Sequence, residues 1–155
     1  MNIQGYSLCE LLGHIEDGLR AINPKQSCGY ATIMVINDSG FVVYKTCRSV
    51  GLNTLRDEGN HYNRSIKQAD RLFAHPKHVS SYQSRNPRQN QGAGAIRAGS
   101  VILSFSGLTS EFCNEALVLW VAHVVRWLSV DEAFNIARLS GNPLVDDNFF
   151  ALARR

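Results

Sequence analysis

The sequence predicts an α+β domain, a central antiparallel sheet with helices packed on its faces. Two strand-turn-strand signatures, at residues 30–47 and 93–106, supply the sheet. Helical stripes before, between and after them supply the covering layers. At 155 residues the chain is long enough to bury a full core as a single domain, and apolar residues at 45% with charged residues at 19% give an ordinary globular balance.

The first element is set by Ser7-Leu8-Cys9-Glu10, which has the form of a capping box. In it, hydroxyl and carboxylate each accept from the other residue's unpaired backbone N–H. Leu8, Leu11, Leu12, Ile15, Leu19 and Ile22 then repeat at helical spacing, and Asn23-Pro24 ends the pattern. Tyr30 to Ile36 is dense in β-branched and aromatic residues, Asn37-Asp38-Ser39-Gly40 is turn chemistry, and Phe41 to Cys47 reads as the returning strand. Apolar residues on both faces of the first strand predict a central place in the sheet.

Residues 49–60 read as a connection, followed by a short helix over Ser65 to Phe73 with Ile66, Ala69, Leu72 and Phe73 inward, broken at Pro76. Ser80 to Gly94 lacks apolar spacing and predicts an exposed, mobile loop. The second hairpin turns at Arg97-Ala98-Gly99-Ser100. A helix from about Ser110 to Leu128 is apolar almost all round, which predicts burial between the sheet and a second surface, such as another subunit. Ser129-Val130-Asp131-Glu132 caps a last helix through about Leu139, closed by Gly141-Asn142-Pro143, and the tail from Leu144 forms at most one short helix.

Charge and targeting signals exclude several classes. Net charge is +3, but residues 56–97 hold eight Lys/Arg against three acids, a local basic face suited to an anionic small molecule or simply to water. Neither a recognition helix nor stacking aromatics beyond Tyr62 and Tyr82 accompany it, so no nucleic-acid partner is expected. The absence of a leader-like start and of a long apolar run predicts no membrane partner and a cytoplasmic location, with Cys9, Cys28, Cys47 and Cys113 as free thiols. No H-E-x-x-H, phosphate loop, dinucleotide fingerprint or nucleophile elbow occurs, and no metal ligand set or catalytic residue is assigned.

Specific residues then suggest a family. Val35-Ile36-Asn37-Asp38-Ser39-Gly40-Phe41-Val42, Arg48, and Ala69 to Pro76 are similar to a hairpin and an alanine-rich helix of the GlcG/HbpS-like family. Gly94-Ala95-Ile96, Gly99-Ser100-Val101-Ile102, Ser106-Gly107-Leu108-Thr109-Ser110-Glu111 and Asn114-Glu115-Ala116 resemble its "GG-x-PI", "G-x-VIG" and "VSGG-x-x-E-x-DE-x-A" sequence. Ala93, Ala95, Leu108 and Asn114 depart from that pattern, standing where it has Gly, Pro, Gly and Asp. The resemblance covers about residues 8–128 and leaves 129–155 as a helical extension.

The resemblance implies a profilin-like fold, assembly into a homo-oligomer, and a non-catalytic ligand-binding function with haem or another tetrapyrrole as ligand. Haem needs an axial ligand and cations near its propionates. His75-Pro76-Lys77-His78, at a helix break beside Arg71, and His14 at the edge of the first helical stripe are the candidate ligands, with Arg48 as a further cofactor-binding residue. His123 reads as a core or interface histidine, and His61, beside Asp57 and Glu58, as a solvated loop residue. The alternatives are a scaffold protein of the same fold that has lost its ligand, and a small-molecule enzyme.

Overall fold

The computed structural model describes residues 2–22, 28–51 and 59–154, the side chains of 152–154 excepted. A two-stranded ribbon, β1 (Asn2–Ile3) and β2 (Tyr6–Ser7), leads directly into α1 (Leu8–Ile22). The predicted capping box is formed: Glu10 N–H donates to Ser7 Oγ at 3.2 Å, and Ser7 N–H to Glu10 Oε2 at 2.7 Å. β3 (Gly29–Ile36) and β4 (Val42–Val50) make the first hairpin, β5 (Ala95–Ala98) and β6 (Val101–Ser106) the second. They form one antiparallel sheet in the order β4-β3-β6-β5, so β3 is central as its two apolar faces predict.

Alternation along these strands creates two different faces. Ala31, Ile33, Val101, Leu103, Phe105 and Ile96 belong to one large core with Leu11, Ile15 and Leu19 of α1 and most of α3 (Glu111–Val124). Met34, Ala95 and Ile102 point the other way, where they meet Ala69 and Leu72 of α2 (His61–Phe73). Helices therefore cover both faces, as the fold class requires.

The apolar girth of α3 is accounted for within the chain. It packs on β5 and β6, on α1, on α4 (Val130–Ser140) and on the closing 3-10 turn Phe149–Arg154, so no subunit is needed to cover it. At Gly18 α1 comes so near α3 that a Cβ would lie 2.7 Å from Leu117 Cδ1, so a glycine is what permits the approach.

Two expectations are corrected. α2 starts at His61, four residues before the predicted Ser65, because its first turn is polar and carries no apolar period. Ser80 to Gly94 is folded into 3-10 turns at Ser81–Ser84 and Pro87–Gln89, with Ser80 and Ser81 fully buried. Polar contacts hold it in place of apolar ones: Ser81 Oγ accepts from Ala95 N–H at 3.1 Å, and Arg71 donates to Ser84 Oγ at 2.9 Å, to Ser81 O at 3.0 Å and to Gly92 O. Part of the predicted connection, residues 52–58, lies outside the described residues, together with Asp57 and Glu58.

Candidate functional site

A cleft of about 590 Å³ opens between the N-terminal half of α2, the end of the 80–93 segment and the turn from β6 into α3. The local sequence explains why it lies there. Toward its C-terminus α2 seals against the sheet with Ala69 and Leu72, whereas one turn earlier its inward positions are Ser65 and Gln68. These meet hydroxyls of the sheet. Thr32 Oγ1 lies 2.8 Å from Ser65 Oγ, and Ser104 Oγ lies 2.8 Å from Ser65 O and 3.0 Å from the Gln68 amide. All four side chains are buried, and mutual hydrogen bonding meets the cost of placing them there.

The cleft begins where that network ends. His61, the first residue of α2, places Nδ1 2.8 Å from Ser106 Oγ at the end of β6. His61 is thus part of the cleft wall and half-buried, which corrects its reading as a solvated loop residue. Arg64, Lys67, Gln68 and Arg71 follow at helical spacing and line the same cleft. Opposite them, Gly107 makes the turn with φ of +149° and lies so close to Gly29 that a Cβ would stand 2.6 Å from its Cα. Ser110 caps α3 by accepting from Cys113 N–H at 3.2 Å, and Asn114 Oδ1 accepts from Leu108 N–H at 3.0 Å.

Charge in the cleft is distributed unevenly. Glu111, in the first turn of α3, accepts from Arg85 Nε at 2.5 Å and from Ala93 N–H at 3.1 Å. Hydrogen bonding to Glu111 raises the Arg85 pKa, while burial lowers that of Arg71. Asp70 is bound by Lys45 from β4 at 2.6 Å. Arg64 and Lys67 have no acidic partner among the described residues. The lining is mainly polar, with Ala93 and Leu108 as its apolar side chains among the described residues.

Behind the cleft, a buried carboxyl braces its wall. Glu115 accepts from Ser80 Oγ at 2.5 Å, Ser140 Oγ at 2.5 Å and Asn142 Nδ2 at 3.0 Å, joining α3 to the start of the 80–93 segment and to the end of α4. Burial raises its pKa, against the pull of those three donors. No group of three or more potential metal ligands occurs among the described residues, and no helix among them is long and apolar enough to cross a membrane.

The four residues singled out in the sequence are not brought together. His14 lies on α1, half-buried, with its ring edge-on to Tyr6 at 5.7 Å. Arg48 is exposed on edge strand β4, opposite Ala31, so it belongs to the α1 side of the sheet. His75 and His78 follow α2 on the other side, their rings stacked 4.8 Å apart. None of the four lines the cleft. Ser65 and Gln68, polar at inward helical positions opposite Ser104 in a strand, were the available signal for it. Comparison of the chain with family models, curated proteins and solved structures finds no match.

Proposed function

We propose that this is a non-catalytic ligand-binding protein and that the cleft receives a small anionic molecule. One observation carries the reading. Each acid at the cleft has its own cation, Lys45 for Asp70 and Arg85 for Glu111, whereas Arg64 and Lys67 are left without an acidic partner among the described residues. A positive potential at the mouth of a polar concavity attracts and holds anions. Titration with citrate, followed by calorimetry at two ionic strengths, tests this. Saturable binding that weakens with salt, and falls about tenfold or more in the Arg64→Glu/Lys67→Glu variant, is the expected result. Unaltered affinity in that variant would sink it.

Haem is the second reading, and His61 is the observation in its favour. It sets an imidazole in the same cleft as two cations of the kind that pair with propionates. The polar lining weighs against it, because haem needs an apolar slot. Haemin titration with apo-myoglobin as competitor separates the readings: a Soret band that moves in His61→Ala favours haem in the cleft, and one that moves in His14→Ala, His75→Ala or His78→Ala favours a site elsewhere. Homo-oligomerisation, implied by the resemblance, would fall to the outer edge of β4, where Phe41, Val42 and Val43 are exposed. Light scattering on the same samples measures it. If neither citrate nor haemin binds, the scaffold alternative takes precedence.

A further inference from the structure

We infer that the ligand of the cleft is a polyhydroxylated acid of the sugar-acid kind, its ionised group held at Arg64 and Lys67 and its hydroxyls by the neutral polar side chains around them. The inference rests on the anion-binding reading above and names the chemical class of its ligand. The make-up of the walls carries it. Asn63 stands in the first turn of α2, Gln89, Asn90 and Gln91 on the 80–93 segment, and Ser106 and Thr109 at the turn into α3, all of them lining the cleft. Every wall therefore presents amides or hydroxyls, groups that both donate and accept hydrogen bonds.

Charge alone does not account for this lining. An ionised acid accepts hydrogen bonds but offers none, so it engages cations and amide N–H groups and leaves amide oxygens to water. A hydroxyl donates as well as accepts, as an amide does. Asn63 Nδ2 donates to Asn60 Oδ1 at 2.9 Å, which leaves the Asn63 oxygen to accept from a ligand donor. Ser106, 2% exposed, meets His61 Nδ1 at 2.8 Å and keeps hydrogen-bonding capacity beyond that contact. Other ligand classes find less to hold them. No Phe, Tyr or Trp among the described residues lines the cleft, so a nucleobase or another flat ring has no face to stack on. Ala93 and Leu108 give an acyl chain little apolar surface. A volume of about 590 Å³ is of small-molecule size and admits a sugar acid together with bridging water.

The experiment is a calorimetric titration of the full-length protein, at constant ionic strength, with three probes of equal chain length. Gluconate, charged and hydroxylated, should bind at least about tenfold more tightly than hexanoate, which is charged only, or sorbitol, which is hydroxylated only, because neutral hydrogen bonds add to the charged contact. In ¹⁵N NMR spectra the side-chain NH₂ signals of Gln89 and Gln91 should shift as gluconate saturates and stay in place with hexanoate. Gln89→Ala/Gln91→Ala should reduce the preference for gluconate over hexanoate at least about threefold. Equal affinity for gluconate and hexanoate, both above sorbitol, overturns the hydroxyl contacts and leaves the anion-binding cleft standing. Equal affinity for gluconate and sorbitol, unchanged in Arg64→Glu/Lys67→Glu, overturns the acidic contact and the anion-binding reading with it. An unchanged preference in Gln89→Ala/Gln91→Ala, with the amide signals fixed, overturns the place given to the hydroxyls. Absence of saturable gluconate binding overturns the inference outright, while the citrate titration decides the anion-binding reading separately.

Discussion

The two faces of the sheet are built from the same strands and do different work. Toward α1 and α3, Ala31, Ile33, Leu103 and Phe105 enter a continuous apolar core. Toward α2, the alternate residues Met34 and Ile102 seal only the C-terminal half of the helix, and Thr32, Ser104 and Ser106 meet polar side chains in its N-terminal half. Burying hydroxyls and amides contributes less net stability per area than burying alkyl groups. It leaves directional donors at the margin, where the cleft opens. One face is packed by alkyl and aromatic groups, and the other exchanges part of that packing for a polar cleft.

That contrast is broken most severely by Phe105→Ala. The ring is fully buried on the apolar face, so its removal should cost about 3–5 kcal/mol by urea denaturation. A loss near 1 kcal/mol would mean that the α1/α3 face is not the principal core. Citrate affinity, measured where the variant remains folded, should change little, because the ring points away from the cleft.

Glu115 links the two regions, since it lies on α3 but anchors the cleft wall through Ser80. Glu115→Ala takes away the acceptor of the Ser80 hydroxyl and one acceptor each of Ser140 and Asn142, which keep Ala137 O and Phe112 O, and should cost about 2 kcal/mol, more than Glu115→Gln, which keeps an acceptor oxygen. The pH dependence has a definite sign. Burial raises the carboxyl above its ordinary 4.5, so between 4.5 and the raised value the folded chain holds a proton that the unfolded chain has released. The stability this contributes is full below 4.5 and is lost as pH rises through the folded pKa. Wild type should therefore lose ground to Glu115→Gln in urea midpoints taken from pH 4.5 upward. A constant gap between them would show that burial and the three donors cancel.

How far the sequence reveals each face follows from the same physics. The apolar face is written in periodic residues: the stripe of α1, the alternation in both hairpins and the girth of α3 all predict elements that form. Even there periodicity leaves the partner open, and the second surface over α3 proved to be α1, α4 and the C-terminal turn rather than a subunit. The cleft face has no such period. Ser65, Gln68 and Ser80 are polar residues at inward positions, and polarity by itself reads as exposure, so the sequence predicts an α2 one turn too short and a mobile loop at residues 80–94. Cations cluster in sequence around His75 and His78, which lie outside the cleft. The histidine that reaches the cleft, His61, meets Ser106, 45 residues away, a pairing that no local pattern announces.

The smallest effect is expected at the rim of α2, where Lys45 bonds Asp70 at 2.6 Å and both side chains remain substantially exposed. Lys45→Ala should change stability by less than about 1 kcal/mol, because an exposed pair gains little over its separate hydration and is screened by salt. Its effect on the cleft should be a weakening of citrate that depends on salt. Freed of its cation, Asp70 places an uncompensated negative charge beside Arg64 and Lys67, weakening citrate at low salt and recovering most of the difference at high salt. If citrate affinity in Lys45→Ala equals wild type at low ionic strength, the neutralisation of Asp70 does not set the field of the cleft. The asymmetry that distinguishes this face from the apolar one would then rest on Arg64 and Lys67 alone.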